Sequence, residues 1–128
     1  MPENKNILYA EDRPETQEIT LEFFETFFPS HIVEVFSDGA SLDKRLECGS
    51  LDTIGVVVTD NEMPEMNGTD IIRKYAHREG YVGIPFVLYY GGVPAIGEQA
   101  LQHGAIKIFH KPCNIRSLME YVQEVMKW

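Results

Sequence analysis

Short apolar runs along this chain alternate with longer stretches in which apolar residues recur every three or four positions. Residues 7–10, Ile-Leu-Tyr-Ala, form the first run and stop at Glu11-Asp12. Over 14–28, Ile19, Phe23 and Phe27 recur with Phe24 and Phe28 beside them, which predicts a helix with a wide buried stripe. Pro14 suits its first turn, where no N–H is needed, and Pro29 closes it. Residues 32–36 predict a second strand, Ser37-Asp38-Gly39 a turn, and 40–48 a short helix ending at Gly49. The unbroken run 54–59 is the pattern of a strand covered on both faces, and it ends at Asp60. A loop with Pro64 and Gly68 leads to a helix capped by Asn67, carrying Ile71, Ile72 and Tyr75 and stopping near Gly80. Residues 85–90 predict a fourth strand before Gly91-Gly92, and 94–103 a helix weakened by Gly97. A fifth strand over 106–110 precedes Lys111-Pro112. The last helix, capped by Asn114, shows one apolar face: Ile115, Leu118, Met119, Val122, Val125 and Met126.

Five strands alternating with five helices predict an α/β fold: a doubly wound parallel sheet with helices on both faces. With 128 residues and no linker, repeat or low-complexity stretch, the expectation is a single domain over 1–128. Ligands of such sheets bind beyond the carboxyl ends of the strands, where the strand order reverses. The residues expected there are Glu11-Asp12, Asp38, Asp60, Tyr90-Gly91 and Lys111. If the strand order is 2-1-3-4-5, the three carboxylates and one lysine at the ends of strands 1, 3 and 5 are expected to be neighbours.

Composition changes the picture mainly by exclusion. Apolar residues at 44% and charged residues at 24% are ordinary for a globular chain. Eleven Lys and Arg against 20 Asp and Glu leave a net charge of −9, which argues against nucleic acid and anionic membrane as partners and for a cation or a basic protein surface. Two distant cysteines, Cys48 and Cys113, suit a reducing compartment better than a disulfide framework or a thiolate metal site. With no apolar run long enough to span a bilayer and no signal-peptide pattern at the start, the expected location is the cytoplasm.

Three carboxylates brought together repel one another unless a cation joins them or one takes a proton. Hard oxygen donors suit Mg2+. A lysine nearby can hold a phosphoryl oxygen, and a carboxylate beside both can accept a phosphoryl group. Ile7-Leu8-Tyr9-Ala10-Glu11-Asp12, the stretch from Val56 through Asp60-Asn61-Glu62-Met63-Pro64-Glu65-Met66-Asn67-Gly68, Gly104-Ala105 and Lys111-Pro112 together resemble the receiver domain of bacterial two-component response regulators. The resemblance covers nearly the whole chain and implies the flavodoxin-like strand order 2-1-3-4-5 and roles for six residues. Asp60 is the phosphoacceptor. Asp12, Asp60 and the backbone carbonyl of Glu62 hold Mg2+, and Glu11 supports the ion through water. Lys111 binds the phosphoryl group and precedes a cis peptide at Pro112. The sixth, Tyr90, stands where relatives carry a switching Ser or Thr.

The resemblance also implies partners. The donor is a phosphohistidine on a sensor histidine kinase or a histidine phosphotransfer protein. The output is a changed contact with an unnamed downstream protein, and a weak homodimer through the last two helices is compatible with it. With nothing after Trp128, the chain reads as a stand-alone receiver or one cut from a longer protein.

Two positions depart from the family pattern. Tyr90 is far larger than Ser or Thr. The aromatic expected three residues before the lysine is Ile108, with Phe109 displaced to the opposite face of the strand. These departures motivate an alternative, a receiver-like adaptor that binds its partner without phosphate-dependent switching. An aspartyl phosphatase would want a second Asp where Glu62 stands, so the chain is not read as an enzyme beyond its own phosphorylation and dephosphorylation. Glu11-Asp12 likewise disfavours an FMN phosphate site. The four histidines share no ligand spacing, and Phe23, Phe24, Phe27 and Phe28 exceed what one helix face buries.

Overall fold

The computed structural model describes residues 4–127, so Met1-Pro2-Glu3 and Trp128, the ends of the expected domain, lie outside the described residues. The elements run β1 (Asn6–Ala10), α1 (Pro14–Phe27), β2 (Val33–Phe36), α2 (Gly39–Cys48), β3 (Ile54–Thr59), α3 (Gly68–Tyr75), β4 (Phe86–Tyr90), α4 (Pro94–His103), β5 (Lys107–His110) and α5 (Ile115–Val125). The strands form one parallel sheet, as the alternating pattern predicts, in the order β2-β1-β3-β4-β5 that the resemblance implies.

Side chains alternate across a strand, so each strand feeds two cores. On one face, Leu8, Ala10, Val57, Leu88 and Tyr90 pack with Leu42 and Leu46 of α2, Ile71, Ile72 and Tyr75 of α3 and Ala100 of α4. On the other, Ile7, Tyr9, Val56, Val58, Val87 and Tyr89 pack with Phe24 of α1 and Leu118, Met119 and Val122 of α5. Every residue named in these two clusters is buried, and each large apolar side chain contributes about 1.5–3 kcal/mol relative to exposure. Of the four phenylalanines of α1, Phe24 and Phe28 are buried, while Phe23 and Phe27 stack on each other at 6.4 Å and pack only partly against the core.

The helix after β3 ends at Tyr75, several residues before Gly80. The segment beyond it descends through tight turns: Arg78 N–H donates to the Tyr75 carbonyl (3.0 Å), Tyr81 N–H to Arg78 (2.9 Å) and Ile84 N–H to Tyr81 (2.9 Å). Tyr81 causes the early stop. Its ring lies 5.0 Å from that of Tyr75 and its hydroxyl donates to the Leu46 carbonyl at 2.7 Å, which draws the chain against α2 instead of letting it continue along the helix axis. At the start of α3, Asp70 accepts the Asn67 N–H (3.3 Å) and the Asn61 side chain accepts the Thr69 N–H (3.0 Å). Asn114 caps α5 by accepting the Arg116 N–H at 2.9 Å. Among the described residues, no helix is long and apolar enough to cross a membrane.

Candidate functional site

The chain leaves β1 and β3 side by side at the point where the strand order reverses. Ala10 is in register with Thr59, the Asp60 N–H donates to the Ala10 carbonyl at 2.9 Å, and the Glu11 N–H donates to Phe36 at 2.9 Å. Backbone pairing thus carries Glu11, Asp12 and Asp60 to one edge. One carboxylate oxygen from each lies within 4.8 Å of the other two. Glu11 and Asp60 are buried and Asp12 is half-buried.

Lys111 arrives from β5. Its N–H donates to the Tyr90 carbonyl at 2.6 Å, and the Lys111–Pro112 peptide is cis. Its ammonium lies 2.6 Å from Glu11 Oε1, 3.5 Å from Asp60 Oδ2 and 4.8 Å from the centre of the Tyr89 ring. Glu11 Oε2 accepts the Arg13 N–H at 3.2 Å, so this fully buried carboxylate is engaged through both oxygens. Asp60 Oδ1 accepts the Asn61 N–H at 2.7 Å. The loop closes beneath Asp60 because position 68 is glycine: a Cβ there would lie 2.1 Å from the Asp60 carbonyl oxygen.

Burial, and then the negative charge of Glu11, push the Asp60 carboxyl up to about 7; Lys111 and the Asn61 N–H oppose the rise without cancelling it. One ammonium shared among three acids leaves a net negative site of hard oxygen donors. That donor set and spacing fit a small divalent cation such as Mg2+.

A cleft of about 430 Å³ opens above Asp60, lined by Asp12, Arg13, Asp60, Glu62, Gly91, Gly92 and Lys111. Five of the six residues expected at the site therefore meet here: Asp12, Asp60, Glu62 and Lys111 line the cleft and Glu11 lies beneath it. Tyr90 does not line it. Its ring turns into the α3/α4 core, and a Cβ at Gly97 of α4 would lie 2.3 Å from its hydroxyl and 2.6 Å from Cδ1 of Ile108. His110 stands edge-on to the same ring at 4.9 Å, and its Nε2–H donates to the Gly92 carbonyl at 2.6 Å. Phe109 faces the other core, beside Tyr121.

Arg13 was not singled out by the sequence pattern. Its only signal is its place between the acid pair and the helix-starting Pro14. A larger cleft, about 510 Å³, lies at the opposite end of the sheet around His31, Ile54, Pro85, Ile106 and Met126. No carboxylate lines it among the described residues.

The family model of the response regulator receiver domain matches residues 7–123. The chain is 33% identical over 83 residues to the response regulator protein TmoT of Ectopseudomonas mendocina, a match covering 65% of this chain and 34% of that protein. The chain thus spans about a third of the length of that relative. It is 25% identical over 122 residues to the response regulator receiver protein CpdR of Brucella abortus, covering 95% of this chain and 97% of that protein. Its fold resembles the signal receiver domain of a DNA-binding response regulator from Colwellia psychrerythraea, with a TM-score of 0.86 at 21% identity over 98% of this chain and 100% of that one.

Proposed function

This chain belongs to the response regulator receiver family, the phosphorelay signalling domains of two-component systems, and on that premise we propose that it accepts a phosphoryl group on Asp60. The observation that carries this reading is the convergence of Glu11, Asp12 and Asp60 within 4.8 Å, with the Lys111 ammonium between Glu11 and Asp60. An ionised Asp60 oxygen attacks the phosphorus of a phosphohistidine. The P–O bond forms as the P–N bond breaks, and the donor imidazole leaves with the electron pair and takes a proton from water. Asp12, Asp60 and the Glu62 carbonyl, with Glu11 behind them, would hold Mg2+, which would supply charge neutralisation for the incoming phosphoryl group.

The chain's own groups have separate tasks. Glu11 holds the lysine at the cleft floor in the resting state. Lys111 exchanges that contact for a phosphoryl oxygen as negative charge arrives. Gly91 and Gly92 leave the opposite wall without side chains, so a donor imidazole can approach.

The donor is a sensor histidine kinase or histidine phosphotransfer protein, and the signal leaves as an altered contact with a downstream protein in the cytoplasm. A weak homodimer is compatible with this role, and residues 1–128 act as one domain. The switch is atypical: Tyr90 contributes no hydroxyl to the cleft, and Ile108 stands where relatives have an aromatic. That placement of Tyr90 also supports a second reading, an adaptor whose partner contact does not depend on phosphate.

Incubation with Mg2+ and acetyl phosphate, followed by intact mass measurement, separates the two. Wild type gains one phosphoryl group and Asp60→Asn gains none. A folded wild type that stays unlabelled refutes the phosphoacceptor reading and leaves the adaptor.

A further inference from the structure

The cleft over Asp60 contains two cations, and only one of them is engaged. Lys111 is committed to Glu11 at 2.6 Å and Asp60 at 3.5 Å. Arg13 lines the same cleft, yet among the described residues its guanidinium takes part in no ion pair or hydrogen bond. Arg13 is exposed, which leaves its guanidinium open to an incoming anion.

The backbone of Arg13, by contrast, is tightly held. Its N–H donates to Glu11 Oε2 at 3.2 Å, its carbonyl accepts the Gln17 N–H at 2.9 Å, and Pro14 follows it. Gln17 reinforces the arrangement by donating its side-chain amide to the Glu11 carbonyl at 2.8 Å. The backbone of residue 13 is anchored to the buried acid, while its charged end is unpaired among the described residues. The wall formed by Gly91 and Gly92 has no side chain to obstruct that end.

We propose that Arg13 is a specificity-determining residue that engages the phosphoryl group of the incoming donor and favours donors in the dianionic form. The inference rests on Asp60 being the phosphoacceptor. A dianionic phosphoryl group entering this cleft faces Asp12, Asp60 and Glu62 on its lining, and of the two cations there Lys111 is already paired with carboxylates, so its approach is opposed. A guanidinium presents a planar fork of N–H donors that matches two phosphoryl oxygens at once, a geometry an ammonium lacks. Lys111 then serves the transferred group deep in the site, and Arg13 serves the donor at its entrance. The benefit of Arg13 scales with donor charge, which separates this role from a general structural one.

The test compares phosphorylation rates of wild type, Arg13→Gln, Arg13→Lys and Arg13→Glu in Mg2+ at neutral pH. Acetyl phosphate serves as the donor of net charge −2 and phosphoramidate, a zwitterion at neutral pH with a protonated nitrogen on its PO3 group, as the donor whose net charge is one unit less negative. Arg13→Gln is expected to lower the second-order rate with acetyl phosphate about fivefold, as for one exposed charge contact, and the rate with phosphoramidate by clearly less. Arg13→Lys recovers part of the loss and Arg13→Glu deepens it. Added salt slows wild type more than Arg13→Gln. Melting temperature stays at the wild-type value in Arg13→Gln, because the guanidinium makes no ion pair or hydrogen bond among the described residues.

Wild type that labels while Arg13→Gln labels equally fast, or slows equally with both donors, overturns this inference alone. Absence of label in every variant, wild type included, overturns the Asp60 reading and this inference with it.

Discussion

Asp60 is the residue whose chemistry is most sensitive to its surroundings. An unfolded Asp ionises near pH 4, whereas here burial and Glu11 raise the carboxyl to about 7. Between those values the unfolded chain sheds its proton first, so stability falls as pH rises through the window and the full cost is present above it. In chelator, Asp60→Asn is therefore expected to be more stable than wild type at pH 8, by about 1–2 kcal/mol, and equal to it near pH 4. Thermal melts at the two pH values check this; equal melting at pH 8 contradicts it. The same proton competes with a metal. Mg2+ affinity, read by titration calorimetry, should fall about tenfold per pH unit below 7 in wild type, and a flat profile would contradict a shared carboxylate.

At the scale of elements, α4 shows why one glycine resists a simple reading. Gly97 in mid-helix costs about 1 kcal/mol relative to Ala by propensity alone. Yet a Cβ at 97 would lie 2.3 Å from the Tyr90 hydroxyl, so the glycine is the seat for a ring that β4 points into the core. Gly97→Ala is expected to destabilise by about 1–3 kcal/mol despite its better propensity. Adding Tyr90→Thr should recover part of that loss, because the obstructing ring is gone. Urea unfolding of the two single variants and the double variant measures the coupling, and additive costs would show that Tyr90 does not occupy that space. The end of α3 teaches a related lesson. Apolar periodicity carried the helix toward Gly80, but the Tyr81 hydroxyl bond to Leu46, 35 residues away, turns the chain at Tyr75.

At the scale of the whole molecule, the net charge of −9 and the acid cluster act together. A cation that binds only the folded state stabilises it by mass action. Millimolar Mg2+ should therefore raise the melting temperature of wild type and leave an Asp12→Asn/Asp60→Asn variant nearly unmoved; equal shifts in both would show that the ion acts on general charge alone.

The alternation of elements was legible because strand and helix periods differ, and the ends of strands 1, 3 and 5 named Glu11, Asp12, Asp60 and Lys111 in advance. Strand order was legible only through the family resemblance, since the alternation implies a parallel sheet without saying which strands are neighbours. What the linear pattern could not settle was direction and distance. Tyr89 and Tyr90 sit on opposite faces whichever way β4 is placed, and only its pairing with β3 and β5 turns Tyr90 toward Gly97 and Tyr89 under Lys111. Glu11 and Lys111 are 100 positions apart, and their 2.6 Å contact exists because register brings two strand ends to one edge. Local periodicity is a property of neighbours along the chain, so the sequence alone determined the elements and the chemistry they carry. Which charges meet, and which are left free as at Arg13, depends on packing between distant segments, and only the tertiary structure decided it.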